Sequence, residues 1–206
     1  VANRIGVFSM AVAIHHTAAF GLGLDLVDAL TGPVIGRAKS ATYRTADIVG
    51  LDTMGHVFEG SARALRDDPW RRYFSPPAWL KTLIEKGALG QKTKAGIYAD
   101  KGKQVLDPAT GEYRGAGAKP DGAVQALLKL KNPAEKFAAL RASDHPQAQF
   151  LWAIHRDTFH YAAVLLAEIA DTARDVDFAI RWGFGWSMGP FEIWQAAGWK
   201  QVAAWI

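Results

Sequence analysis

Asn3-Arg4-Ile5-Gly6-Val7-Phe8 opens an apolar, helix-length run that lasts to Phe20, and Leu24-Asp25-Leu26-Val27-Asp28-Ala29-Leu30-Thr31-Gly32 follows it. A weak copy returns near the end. It reads His155-Arg156, a second apolar run to Ala170, then Val176-Asp177-Phe178-Ala179-Ile180-Arg181-Trp182-Gly183. Arg156 stands 152 positions after Arg4, and Asp177 stands 152 after Asp25. Farther on the offset is 148, with Thr42-Tyr43 facing Pro190-Phe191 and Gly50 facing Gly198. A four-residue deletion in the second copy, between Gly183 and Gly189, accounts for the change. A unit that recurs dictates the architecture of the whole chain, so this repeat is the first thing to read.

The elements between the copies follow from spacing. Residues 1–20 are apolar on more than one face, the mark of a buried helix, and Gly21 and Gly23 end it. Residues 24–31 form a short second helix, stopped by Gly32-Pro33. Thr45 suits an N-cap and Asp47 the positive end of a helix. From there Ile48, Leu51, Gly55, Phe58, Ala62 and Leu65 recur at spacings of three and four, which predicts one amphipathic helix. Ser75-Pro76 predicts another helix start, with Gly87 its end. Residues 87–122 are rich in Gly and turn residues, with Ile97-Tyr98 and Val105-Leu106 as short strands joined at residues 100–103. That segment reads as a surface linker between repeats. Short helices around 123–131 and 134–143 precede a long one at 146–171. Asp175 caps a short helix to Trp182, Gly189-Pro190 opens another, and the last starts at Trp199. No alternation of strand and helix appears.

Composition narrows the function classes. Of 206 residues, 50% are hydrophobic and 21% charged, enough to bury a sizeable core and unlike a disordered chain. There is no Cys, which excludes disulfides, thiolate metal sites and Cys nucleophiles and fits a reducing compartment; the expected location is a bacterial-type cytoplasm. The longest apolar run, Met10 to Leu24, is broken by His15-His16 and too short to span a bilayer. The chain opens on Val1 inside helical-looking sequence, so the expectation is a piece of a longer protein. A net charge of +4 is compatible with an anionic ligand such as a phosphorylated cofactor. There is no run of five basic residues and no alternation of Arg with aromatics, which argues against nucleic acid.

Few motifs carry chemistry. Gly183-Phe184-Gly185-Trp186-Ser187-Met188-Gly189 has the glycines of a dinucleotide loop, but a helix precedes it and no acidic residue follows at about twenty positions. It reads as a turn between helices. His15-His16 and the pair His155 and His160 lack the i, i+4 spacing that places two imidazoles on one helical face, so no metal site is expected. Asn3 has two readings: a helix N-cap or a polar residue at the fragment's end, or an amide that bonds a reacting oxygen.

The longer stretches resemble a known family. Asn3-Arg4 with its helix, Asp25 with Gly32-Pro33, the run from Gly36-Arg37-Ala38-Lys39-Ser40 through Thr42-Tyr43 to Asp52, and Gly87-Ala88-Leu89-Gly90 through Gly96-Ile97-Tyr98 are similar to the C-terminal helical domain of 3-hydroxyacyl-CoA dehydrogenases. The second copy, with Ser187-Met188-Gly189-Pro190-Phe191-Glu192, resembles a shorter form of the same domain. The resemblance implies an all-α fold: two tandem helical repeats of the 6-phosphogluconate-dehydrogenase C-terminal type, with a small β-hairpin-like linker. Its divisions are a first repeat at 1–100, a linker at 101–145 and a degenerate second repeat at 146–206. It further implies the substrate side of an NAD-dependent enzyme that oxidises (S)-3-hydroxyacyl-CoA in fatty-acid β-oxidation. NAD and the Ser, His and Glu of the active site belong to an N-terminal Rossmann domain of the same polypeptide, so this stretch alone is expected to be inactive. Tandem repeats resemble the multienzyme members, which can carry an enoyl-CoA hydratase domain as a further partner.

On that resemblance Asn3 is the expected catalytic residue, orienting the His or the 3-oxygen. Arg37, Lys39, Thr42 and Tyr43 are the expected substrate-binding residues on an acyl-CoA cleft, the cations suiting CoA phosphates; solvated loop charge is the other reading of those cations. His155 stands where Asn3 stands in the first copy, so the second copy is expected to be non-catalytic and to substitute for a dimer partner. The alternative is an assembly module with no substrate contact.

Overall fold

A computed structural model describes all 206 residues, Val1–Ile206. In chain order its helices are α1 (Ala2–Ala19), α2 (Leu24–Thr31), α3 (Tyr43–Val49), α4 (Leu51–Ala64), α5 (Ala78–Glu85), α6 (Gly122–Leu128), α7 (Pro133–Ala142), α8 (Pro146–Ile169), α9 (Ala173–Phe184), α10 (Pro190–Ala196) and α11 (Trp199–Trp205). The strands are β1 (Tyr98–Ala99), β2 (Gln104–Leu106) and β3 (Tyr113–Gly115), antiparallel in the order β1-β2-β3. The fold is all-α with this one small sheet. No helix is long and apolar enough to cross a membrane.

The residues form two compact units, one of Val1–Phe20, Pro33–Ala38 and Pro120–Ile206, the other of Gly21–Gly32 and Lys39–Lys119. In the first, the initial helices of the two sequence copies, α1 and α8, pack on each other. Both are apolar on most of their surface because both are interior. Ile5, Phe8 and Val12 of α1 and Phe150, Leu151 and Ile154 of α8 are fully buried, each contributing about 1.5–3 kcal/mol from burial. The Phe8 ring lies flat on Tyr161, centroids 3.7 Å apart. Polar groups on this interface are paired. His16 Nε2 lies 2.7 Å from Asp157 Oδ2, Arg156 also reaches Asp157, and Arg4 Nε donates to the Tyr161 hydroxyl at 2.7 Å. Repeat copies and compact units are thus different divisions of the chain. α1 cannot bury its apolar surface inside its own copy and buries it against its counterpart.

In the second unit Leu24, Val27, Leu30, Tyr43, Leu51, Phe58 and Leu80 make the core, joined by Ile97 and Val105 from the turn-rich segment. That segment is therefore built into the unit rather than laid over it. Its two expected strands form, in the register Tyr98↔Val105 and Ala99↔Gln104. A third, β3, pairs Val105↔Arg114 and Leu106↔Tyr113; its Tyr-Arg-Gly is too short and too glycine-flanked to show in the pattern.

Some local readings change. The helix expected from Thr45 is two helices, broken at Gly50, whose φ of +100° suits only glycine. Ile48 consequently leaves the apolar stripe and is 55% exposed. Asn3 lies within α1, whose N-cap is Val1, so its capping reading fails. Thr172, not Asp175, caps α9, with Asp175 as the reciprocal partner of a capping box. α5 begins after Pro77 with no side-chain cap.

Candidate functional site

The second unit places its chemistry around the start of α3. That helix has no N-cap side chain of its own. Asp28, from α2, supplies one across space: its carboxylate accepts from the backbone N–H of Thr42 (3.0 Å), Tyr43 (2.6 Å) and Arg44 (3.0 Å), and from the Tyr98 hydroxyl (2.7 Å). Burial pushes Asp28 up to about 6, against the pull of these four donors. One turn on, Asp47 accepts from the N–H groups of Ile97 and Tyr98, both at 2.8 Å, and burial raises it too. Two carboxylates thus fix α3 to β1. Tyr98 is gripped at both ends, and the Arg44 guanidinium lies 4.0 Å over its ring. Burial and the adjacent Asp28 raise the Tyr98 hydroxyl, so it stays protonated as a donor. Asp25 fastens the far edge of the sheet through Arg114 (2.7 Å) and the N–H groups of Gly117 and Ala118. Burial raises this group and those donors outweigh it, so Asp25 stays below the ordinary carboxylate range.

Between these fixed pieces lies a cavity of about 550 Å³, walled by Lys39, Ser40, Arg44, Asp47, Gly90, Lys94, Tyr98 and Lys101. Four of those residues are cations. The one carboxylate, Asp47, is turned to backbone donors. The backbone here is unusual: the four non-glycine residues with positive φ are Ala41 (51°), Lys94 (60°), Asp100 (46°) and Lys101 (55°). Lys94 and Lys101 line the cavity, and Ala41 and Asp100 adjoin lining residues. Such conformations cost of order 1 kcal/mol or more each and concentrate at functional sites. Both lysines are exposed, Lys94 at the end of a 3₁₀ turn and Lys101 in the connection between β1 and β2. An anion with several oxygens is what this lining can take.

The five residues expected from sequence separate. Lys39 lines this cavity and is exposed. Thr42 and Tyr43 are buried at the α3 start. The Thr42 hydroxyl bonds Thr31 at 2.8 Å, and the Tyr43 ring packs edge-on to Trp79. They hold the wall rather than face the opening. Arg37 and Asn3 belong to the first unit. Arg37 lies half-buried with its guanidinium 4.2 Å over Trp186, and its pKa is lowered by desolvation. Asn3 is exposed in the first turn of α1. Arg44, Lys94 and Lys101 were not singled out from sequence. The available signal was four lysines, Lys92, Lys94, Lys101 and Lys103, crowded into a glycine-rich stretch.

The structure also corrects the register of the repeat. Asp177 of α9 accepts from the N–H of Phe191 (2.8 Å) and Glu192 (3.2 Å) at the start of α10. It does for α10 what Asp28, not Asp25, does for α3. Asp177 follows Asp28 by 149 positions and Phe191 follows Tyr43 by 148, so one residue, not four, is lost between cap and capped helix. The turn at 183–189 is a helix-to-helix connection with Gly185 left-handed. The three strands are antiparallel, with none leading into a helix at that turn, and these residues do not fit a dinucleotide.

Comparison with known proteins agrees with the fold. Residues 1–100 match the family model of the 3-hydroxyacyl-CoA dehydrogenase C-terminal domain. A Bacillus subtilis protein named for 3-hydroxyacyl-CoA dehydrogenase is 40% identical over 205 residues, covering 98% of this chain and 26% of that protein. A Deinococcus radiodurans protein of the same name is 43% identical over 98 residues, 48% of this chain and 28% of that one. A Rickettsia prowazekii protein named for a fatty acid oxidation complex trifunctional enzyme is 22% identical over 212 residues, 98% of this chain and 28% of that one. The chain spans about a quarter of the length of these relatives. No solved structure matches.

Proposed function

We propose, from the match of residues 1–100 to the 3-hydroxyacyl-CoA dehydrogenase C-terminal domain and the likeness to the Bacillus subtilis protein, that the chain is the substrate-side part of an enzyme oxidising (S)-3-hydroxyacyl-CoA to 3-oxoacyl-CoA in fatty-acid β-oxidation. The observation that carries this is the cationic cavity. CoA presents a 3′-phosphate and a diphosphate, and Lys39, Arg44, Lys94 and Lys101 converge on a volume able to hold such groups. Ion pairing in a partly enclosed site is screened less than on open surface. The Asp28 clamp fixes the backbone of Arg44, whose guanidinium lies over Tyr98, so this one cation is in place before substrate arrives, which lowers the ordering cost of binding. Thr42 and Tyr43 act through that clamp as positioning residues. Asn3 has an unburied amide that can hydrogen-bond the 3-oxygen and the group that removes its proton. NAD, which accepts the hydride, is held by a Rossmann domain outside these residues, and the trifunctional relatives support further domains in the same polypeptide.

The test is turnover of short 3-hydroxyacyl-CoA by the full-length polypeptide and its variants. Asn3→Ala is expected to lower kcat by roughly 10²–10³, the loss of one donor at a reacting oxygen. Lys94→Glu together with Lys101→Glu is expected to raise KM for the CoA ester at least tenfold with little change in kcat. An Asn3→Ala enzyme as active as the parent removes the residue's role. A charge-reversed enzyme with unchanged KM removes the cavity's.

A further inference from the structure

The second copy holds a site of a different kind. In the first unit a cavity of about 230 Å³ is lined by Leu128, Phe137, Leu140, Met188, Ile193 and His155. All but the last are apolar, and Ser187 and Lys136 add polar groups to the lining. His155 is 5% exposed, and its Nδ1 lies 2.7 Å from the Leu151 carbonyl oxygen. A carbonyl only accepts, so Nδ1 carries the proton and Nε2 is a bare acceptor. Nε2 makes no hydrogen bond within the protein and is not sealed from solvent, so it is open to a donor in the cavity. The ring is held in place edge-on by Phe137, centroids 5.1 Å apart. Burial, then the nearby charges of Arg37 and Lys136, hold His155 down at about 4, so it is neutral at pH 7. Lys136 lies on the wall of the same cavity and is only half-buried.

The chemistry of this lining specifies a ligand: an apolar body, one hydrogen-bond donor for Nε2, and an anionic end for Lys136. At about 30 Å³ per water-sized group, the cavity holds roughly eight such groups. We infer that the cavity under His155 binds a medium-chain hydroxy fatty carboxylate, its tail against Phe137, Leu140 and Ile193, its hydroxyl donating to His155 Nε2 and its carboxylate at Lys136. No bond is made or broken there. Nothing in this site depends on the cationic cavity or on turnover. The apolar wall supplies affinity without selectivity, and the unpaired His155 Nε2 supplies the selectivity, because a ligand lacking the hydroxyl displaces water from Nε2 and leaves it unpaired.

The experiment is calorimetric titration of the full-length polypeptide with 3-hydroxyoctanoate and with octanoate. The unsubstituted protein is expected to bind the hydroxy acid roughly tenfold tighter, the worth of one buried hydrogen bond. His155→Phe brings the hydroxy acid down to the level of octanoate and leaves octanoate unchanged. Leu140→Trp, which fills the cavity, abolishes both, whereas Lys94→Glu, in the cationic cavity, alters neither. Equal affinity of the unsubstituted protein for the two acids overturns the role of His155, and that comparison needs no variant to fold. Absence of binding by either acid, or binding that survives Leu140→Trp, overturns the site.

Discussion

Asp28 and Asp177 do the same job in the two copies with different numbers of partners, which makes a paired experiment quantitative. Asp28 Oδ1 takes the N–H of Thr42 and Tyr43, and Oδ2 takes the N–H of Arg44 and the Tyr98 hydroxyl. Asp28→Asn keeps one acceptor oxygen and puts an NH₂ against whichever pair it faces. Tyr98 can turn its hydroxyl to accept, but a backbone N–H cannot, so at least one buried donor is orphaned and charge assistance is lost on the rest. At about 1–3 kcal/mol for an orphaned buried group and about 1 kcal/mol for weakened bonds, the expected cost is about 3 kcal/mol. Asp177 takes one N–H on each oxygen, and the α10 start has a second acceptor, Glu192, at 2.7 Å from the Gly189 N–H. Asp177→Asn should cost about 1–2 kcal/mol. Native-state hydrogen exchange reads both locally: protection of Thr42, Tyr43 and Arg44 should fall by roughly a hundredfold in the first variant, and that of Phe191 and Glu192 by roughly tenfold in the second. Urea denaturation gives the matching loss of stability. If Asp177→Asn costs as much as Asp28→Asn, or if Asp28→Asn leaves the Thr42, Tyr43 and Arg44 amides all protected, counting donors is the wrong account of both caps.

Three further outcomes follow from the same structure. Gly90 has a φ of +99° and an added Cβ would land on the Asp47 backbone, whereas Gly87 has a φ of +70° and open space around it; Gly90→Ala should therefore cost at least about 3 kcal/mol and Gly87→Ala about 1 kcal/mol by thermal denaturation. His155 is depressed to about 4 from 6.5, so its contribution is fully present above pH 6.5 and lost as pH falls toward about 4; stability should decline across that window and decline less in His155→Phe, measured as urea midpoints at each pH. Binding of CoA should weaken with salt if phosphate contacts dominate, and the charge reversal at Lys94 and Lys101 should flatten that dependence in titrations between low and physiological ionic strength.

What the sequence made legible were features with a period or a repeated spelling. The apolar runs at 1–20 and 146–171 gave α1 and α8, because a helix buried on most sides must be apolar on most sides. The turn dipeptides gave the β1–β2 connection, and the doubled Asn/His-Arg run gave the repeat. What stayed hidden depended on φ and on distance in space. Gly50 sits in an unbroken stripe of three-and-four spacing, and nothing in that stripe announces a φ of +100°. Lys94 and Lys101 look like any lysines in a loop until their left-handed backbones are seen to face one cavity. The repeat shows the limit most clearly. Aligned by letters, Asp177 matches Asp25, since each stands 21 positions after the Arg of its copy, Arg156 or Arg4. Aligned by what the carboxylate does, it matches Asp28. Selection on a cap acts on the distance from carboxylate to helix start, and that distance is nearly conserved between copies, fifteen residues from Asp28 to Tyr43 and fourteen from Asp177 to Phe191, while the letters around it drift. Asn3 and His155 diverged under the opposite condition. One is exposed on the first turn of α1 and the other is buried in the middle of α8, so the same place in the repeat offers an amide to solvent-side chemistry in one copy and an imidazole to a largely apolar cavity in the other.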